Sequence, residues 1–163
     1  MTGSNPAGVG WFDTPLGPIE VSVNEADAVV RVRFADAAAP GVGETGEAGA
    51  LGVLQLEEYF SGERRSFDLP LDPEGSDFEK QVWMELQQIP FGTTTTYGEI
   101  ARKLGDPGGS RAVGLANASN PVAIIIPCHR VIGADGGLTG YAGGMHRKRW
   151  LLAHEAGQQN LGF

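Results

Sequence analysis

Cysteine is the scarcest chemistry in this chain: one residue in 163. That excludes an internal disulfide and any zinc site built from several cysteines. Histidine is nearly as rare, with three, and residues 1–75 contain neither type. No apolar run approaches the roughly 20 residues that span a membrane. Residues 1–10 lack the basic-then-apolar pattern of a secretory signal, so the expected location is cytoplasmic. A positive balance is missing too: the formal net charge is −8, which by itself argues against a nucleic-acid partner. What remains is 41% hydrophobic and includes Trp, Phe and Tyr. This is a globular chain, long enough for one domain or for two small ones.

The charge is unevenly laid out. In residues 1–76 four arginines oppose thirteen acidic residues, whereas residues 102–149 carry seven Lys and Arg against Asp106 and Asp135. An acidic first half joined to a basic second half suits a protein of which only one part meets phosphate, and it suits a merely solvated face equally well.

Alternating patterns predict strands over residues 11–13, 19–23 and 28–34, forming an antiparallel meander with one wet face. Residues 35–49, rich in Ala, Gly and Pro, read as a surface loop, followed by a helix over 51–60 that stops at Gly62. Ser76 and Glu79 match a capping box, opening a helix in which Phe78, Val82, Leu86 and Ile89 keep helical spacing up to Pro90, with Trp83 in the core. A short helix closed by Gly105, a turn at Asp106-Pro107-Gly108-Gly109 and a second helix over 111–119 capped by Ser110 give helix-turn-helix spacing. Ala112, Gly114, Ala116 and Ala118 make that second helix slim, fit for a narrow groove or for tight packing on another helix. Residues 132–142 read as a glycine-rich loop able to line a pocket. A last helix covers 145–156, basic at its start, with Trp150, Leu151 and Leu152 for the core and His146 and His154 in ordinary surface or core roles. The expected fold class is α+β. A domain of residues 1–75, with a three-stranded antiparallel sheet and a helix, precedes a mainly helical domain of residues 76–163 with a winged-helix-like helix-turn-helix.

The cysteine follows an apolar stretch, Val122-Ala123-Ile124-Ile125-Ile126, that reads as a buried strand or core segment ending at Pro127. A lone buried cysteine is usually inert. A thiol near its ordinary pKa of about 8.5 is only a few per cent thiolate at neutral pH, so a reactive one needs activation. His129 and Arg130 are the nearest candidates. In a continuing strand His129 points away from Cys128, so a Cys–His contact requires a turn here or a bridging water. Glu155 is a candidate to orient the imidazole from its far side.

Five motifs carry a resemblance: Thr96-Tyr97, Arg111-Ala112-Val113-Gly114, Asn120-Pro121, Pro127-Cys128-His129-Arg130-Val131 and Tyr141-Ala142-Gly143-Gly144. Together, over residues 78–155, they resemble the O6-alkylguanine-DNA alkyltransferases. The resemblance implies irreversible, one-time transfer of methyl or larger alkyl groups from O6 of guanine in duplex DNA, extending to O4 of thymine, onto Cys128. It implies a sulfur poised as an anion, with His129, a water and Glu155 drawing off the proton, Asn120 holding the segment and Tyr97 donating to the departing purine. Thr96, Tyr97, Arg111, Ala112 and Gly114 would meet the DNA minor groove, with Arg111 filling the place of a flipped base. Tyr97, Val131, Tyr141 and the Ala142 N–H would line the pocket. No cofactor is implied. Some relatives hold zinc in their first domain through Cys and His, both absent there in this chain, so no metal is expected. Ala142 stands where some relatives have serine. The protein is expected to work as a monomer, with cooperative binding on DNA left open. The rivals are a DNA-binding thiol sensor without enzymatic role and a thiol hydrolase using Cys128 and His129.

Overall fold

The computed structural model describes residues 7–35, 47–137, 140–141 and 143–160, with side chains for all of these except 47, 48 and 158–160. The chain forms two compact units: Met1–Glu74 with Pro121–Ile125, and Gly75–Asn120 with Ile126–Phe163.

In the first unit β1 (Gly8–Thr14), β2 (Gly17–Val23) and β3 (Val29–Phe34) form an antiparallel sheet in that order. β1 and β2 extend beyond the predicted strands because pairing continues to Thr14 opposite Gly17, whose φ of 106° gives the tight hairpin its left-handed residue. Ile19, Val21, Val23, Val29 and Val32 are buried with Leu56 and Tyr59 of α1 (Glu47–Ser61). A Cβ on Gly52 would come within 3.2 Å of Val21, so the missing side chain lets α1 lie close to the sheet. The predicted loop over 35–49 falls mostly outside the described residues, and its last three positions are helical. The opposite sheet face is less wet than expected. Glu20 is buried there and accepts from Arg31 Nε at 3.1 Å and Arg33 Nε at 2.9 Å.

Of the two readings of the run before Pro127, the core segment holds and the strand does not form. Val32 N–H donates to Pro121 O and Ala123 N–H to Val32 O, a single bridge at the edge of β3. Ile124 then takes φ 70° while Ile125 N–H donates to Ala123 O at 2.7 Å. This is a γ-turn of the strained, positive-φ kind, costly for a β-branched residue. Burial, not strand pairing, accounts for the apolar run: Val122, Ile124 and Ile126 have no exposed surface.

The second unit holds α2 (Asp77–Leu86), β4 (Thr95–Thr96), α3 (Tyr97–Lys103), α4 (Ser110–Ala118), β5 (Val131–Ile132) and α5 (Met145–Asn160). The capping box forms: Glu79 N–H donates to Ser76 Oγ at 3.1 Å and Ser76 N–H to Glu79 Oε1 at 2.8 Å. Trp83 is buried and its Nε1 donates to Ala116 O at 2.9 Å, fastening α2 to α4. The expected Ser110 cap is not made; Gly109 is the N-cap, where a Cβ would meet Asp106 Oδ2 at 2.5 Å. Trp150, expected in the core, is half-buried and stacks on His154 at 4.8 Å. β4 and β5 pair in parallel, Thr95 with Val131 and Thr96 with Ile132. That short ladder sets the start of α3 beside the segment leaving Cys128. No described helix is long and apolar enough to cross a membrane.

Candidate active site

Pro127 (φ −81°, ψ 65°) is the centre of a second γ-turn, closed by Cys128 N–H to Ile126 O at 2.8 Å. Cys128–Arg130 then form a single 3-10 turn. Successive side chains in such a turn are about 120° apart instead of opposed, so the strand geometry that would separate His129 from Cys128 does not arise. Cys128 is 7% exposed. Asn120 Nδ2 donates to Ile126 O at 2.8 Å, and Asn117 Nδ2 to Cys128 O at 3.3 Å.

His129 and Glu155 have come together across 26 positions of sequence: Nε2 lies 2.7 Å from Glu155 Oε2, both side chains buried. Arg130 does not face the sulfur as a thiol activator. It grips the same carboxylate, Nε to Oε1 at 2.8 Å and Nη2 to Oε2 at 2.9 Å, while Nη1 donates to Ile89 O at 2.7 Å. Its guanidinium also lies 5.7 Å from the centre of the Phe91 ring. Burial opposes ionisation of Glu155, but hydrogen bonds and charge from His129 and Arg130 prevail and hold its carboxyl well below the usual range. Burial lowers the His129 pKa, with Glu155 pulling the other way, so the imidazole is neutral at neutral pH. An ionised carboxylate can only accept, so the ring proton sits on Nε2. Nδ1 is thereby a bare lone pair, buried and without a protein partner among the described residues.

Burial pushes the Cys128 thiol up to about 11, against a hydrogen bond from Asn120 and the charge of Lys148. The resting sulfur is therefore protonated at neutral pH, and the standing anion expected from the sequence is not observed. Desolvation outweighs the Asn120 hydrogen bond and the charge of Lys148. Any reaction as a nucleophile would require the thiol to lose its proton during that step. Lys148 is fully buried and donates to Val131 O at 2.7 Å. Burial raises the Tyr141 hydroxyl well above its ordinary pKa, and a charge on Cys128 raises it further.

The other expected residues are distributed as follows. Thr96 caps α3, accepting from Glu99 N–H at 3.1 Å. Tyr97 opens α3, and its ring covers Gly114, where a Cβ would lie 3.8 Å away. Arg111 and Ala112 stand exposed in the first turn of α4. The Val131 side chain is buried. Ala142 lies outside the described residues, as do 138 and 139. A cavity of about 280 Å³ is bordered by Thr93, Thr94, Leu152 and Glu155 and does not include Cys128. The sequence reasoning did not single out Asn117 or Lys148, or foresee the Arg130 grip on Glu155. Asn117 could have been found as a polar residue on the same face of a small-residue helix as Val113 and Ala116. Lys148 offered a signal as well, since a cation in the first turn of a helix opposes the helix dipole.

Comparison with known proteins gives concordant findings. Residues 77–157 match the family model of the 6-O-methylguanine DNA methyltransferase DNA-binding domain, and residues 9–73 that of its ribonuclease-like domain. The methylated-DNA–protein-cysteine methyltransferase of Mycolicibacterium paratuberculosis is 48% identical over 147 residues, covering 88% of each chain. That of Methanosarcina acetivorans is 62% identical over 101 residues, 62% of this chain and 65% of the relative, so here the match spans just under two thirds of the relative's length. Among solved structures, Mycobacterium tuberculosis OGT in complex with DNA superposes with a TM-score of 0.84 at 45% identity, covering 92% of this chain and 93% of that one. The M. tuberculosis O6-methylguanine methyltransferase gives 0.82 at 42% identity, covering 95% and 98%.

Proposed function

The chain belongs to the 6-O-methylguanine DNA methyltransferase family, and we propose that it repairs DNA directly by moving an alkyl group from guanine O6 to Cys128. The observation that carries this is the buried Glu155–His129 pair beside the only cysteine, with the lone pair of His129 Nδ1 bare. A thiol at about pKa 11 also disfavours the redox-sensor rival, which needs standing thiolate.

The lesion is flipped out of the duplex, at an unstacking cost of a few kcal/mol. Cys128 Sγ attacks the alkyl carbon in line: the S–C bond forms as the C–O6 bond breaks. The thiol proton passes to His129 Nδ1 through a water, and the imidazolium so formed is stabilised by Glu155. The electron pair leaves on the guanine, which Tyr97 assists by donating its hydroxyl proton and regains from the relay. Asn120 holds the turn that carries the sulfur. Val131, Tyr141 and the Ala142 N–H line the base pocket. The product is a thioether that no side chain here can hydrolyse, so each molecule acts once, as a monomer in the cytoplasm.

The slim α4 enters the minor groove, with Thr96, Tyr97, Ala112 and Gly114 at the backbone and Arg111 in the gap left by the flipped base. Arg111→Ala is expected to slow repair of a lesion in duplex DNA by about tenfold, the worth of about one stacked base, and to leave reaction with a free O6-alkylguanine base unchanged. Single-turnover rates on the two substrates check this; equal losses on both would remove the stacking role. The function itself is tested by titrating a duplex carrying O6-methylguanine with protein. Repair should stop at one lesion per molecule, and continued turnover would rule out a stoichiometric acceptor.

A further inference from the structure

Building on the alkyl transfer proposed above, we infer that Asn117 is a positioning residue for Cys128, holding the nucleophile's own carbonyl from within the DNA-binding helix. Asn117 is 2% exposed, and its Nδ2 donates to Cys128 O at 3.3 Å. Three residues on, past the C-cap Ser119, Asn120 Nδ2 donates to Ile126 O at 2.8 Å. The two amides thus grip the carbonyls on either side of Pro127. Proline has no N–H of its own to anchor the turn. Ile126 O otherwise receives the N–H of Cys128, and Cys128 O that of Val131. These bonds are all local to the turn, whereas Asn117 ties it to α4 and Asn120 to the segment just past that helix. The peptide plane that Asn117 fixes begins at the Cys128 Cα, so it sets the direction in which the sulfur points. An in-line displacement is sensitive to that direction, because a shift of about 1 Å in a reacting atom can cost about 100-fold in rate.

Packing alone does not explain an asparagine here. Its neighbours on that face, Val113 and Ala116, are buried and apolar, and an apolar side chain would suit them without burying an amide. Asn117 instead buries an amide oxygen, Oδ1, that has no protein partner among the described residues. An unmet buried polar atom is destabilising and rare in native structures. Among the described residues, the other two side-chain atoms in that condition are His129 Nδ1 and Tyr141 Oη. Both belong to residues at Cys128: its sequence neighbour, and the hydroxyl that a charge on its sulfur perturbs. The unmet polar atoms of this unit therefore gather around one sulfur, as expected where local stability is given up for chemistry.

The test uses the full chain in single-turnover reactions with an O6-methylguanine duplex and with free O6-benzylguanine. Asn117→Leu keeps the number and branching of side-chain heavy atoms, with bulkier ends, and removes both polar atoms; Asn117→Asp keeps the shape and removes the donor. Each variant is expected to react about 10- to 100-fold more slowly on both substrates. The reaction amplitude should stay at one alkyl group per folded chain, and the affinity for duplex should not change. A residue that only packs would lower the melting temperature and the amplitude and leave the rate constant of the surviving molecules alone. Rate constants within about twofold of the parent, or a loss confined to the duplex, would overturn the assignment. If Asn117→Leu does not fold, the same outcomes are read from Asn117→Asp. Failure of the parent to alkylate Cys128 would instead sink the proposed function, so the two failures are distinguishable.

Discussion

Cys128→Ala is expected to abolish alkyl transfer outright while the protein still binds lesion-bearing duplex with unchanged affinity. The sulfur is the only acceptor in the proposed reaction, and the chain has no second cysteine to take its place. Removing one Sγ from a buried turn leaves the carbonyls of Ile126 and Cys128 in the grip of Asn120 and Asn117, so the local backbone should persist. Cys128→Ser should be equally inactive. A hydroxyl is far less acidic than a thiol, and burial already pushes the thiol to about 11, so a neutral imidazole could not deprotonate the serine at a useful rate. Assaying the remaining O6-methylguanine after a long incubation, beside a binding titration, measures both halves. Transfer persisting in either variant would move the acceptor elsewhere in the chain.

The second large effect is on Glu155. Glu155→Ala leaves the Arg130 guanidinium, whose side chain is 7% exposed, without its carboxylate, and takes the acceptor from a fully buried His129. Breaking a buried pair by removing one partner costs about 3–5 kcal/mol, because the surviving charge stays desolvated. Against a total of about 5–15 kcal/mol for a native protein this is severe, and the melting temperature should fall by about 10 °C. Glu155→Gln preserves the size and one acceptor, so it should fold better but still transfer slowly. Its amide can donate to Nε2, which favours the tautomer with the proton on Nδ1 and blocks the lone pair.

The same pair predicts how stability depends on pH. His129 is held neutral by burial, against Glu155, so below its ordinary pKa of about 6.5 the unfolded chain takes up a proton that the folded one refuses. Glu155 has its folded pKa lowered, with burial overcome by His129 and Arg130. Its contribution is complete above the ordinary carboxylate pKa of about 4.3 and is lost as pH falls below that. Both contributions have the same sign. Urea unfolding should show stability declining from about pH 6.5 downward and more steeply below about 4.3. Glu155→Gln should lack its share of the lower stage; an identical acid profile in the variant would contradict this assignment.

How much of this was legible beforehand depended on the range of the interaction. The Ser76–Glu79 capping box and the glycine-bearing turn between α3 and α4 are written within a few residues of themselves, and composition alone was enough to read them. The Ser110 cap failed because α4 starts one residue earlier, with Gly109 at the N-cap packed close against Asp106, a detail settled by neighbours. The apolar run before Pro127 carried the signal for burial without one for conformation. Nothing in five apolar residues distinguishes a strand from two γ-turns, and the positive φ at Ile124 runs against its own propensity. At the site, the motif around Cys128 named His129 and Glu155, which the fold brings together, but the pairing of Arg130 with Glu155 depends on how α5 meets the turn, 25 positions away in sequence. The protonation of the resting thiol was hidden for the same reason: desolvation is a property of the packed core and has no local sequence signature.

The most direct test is the mass of the protein itself. Incubated with an excess of duplex bearing one O6-methylguanine, the intact chain should gain a single methyl group, and peptide mapping should find it on Cys128 as a thioether, with plain guanine left in the DNA. An unchanged mass, or a methyl group on any other residue, would contradict a buried sulfur that sheds its proton to His129 only as the alkyl group arrives.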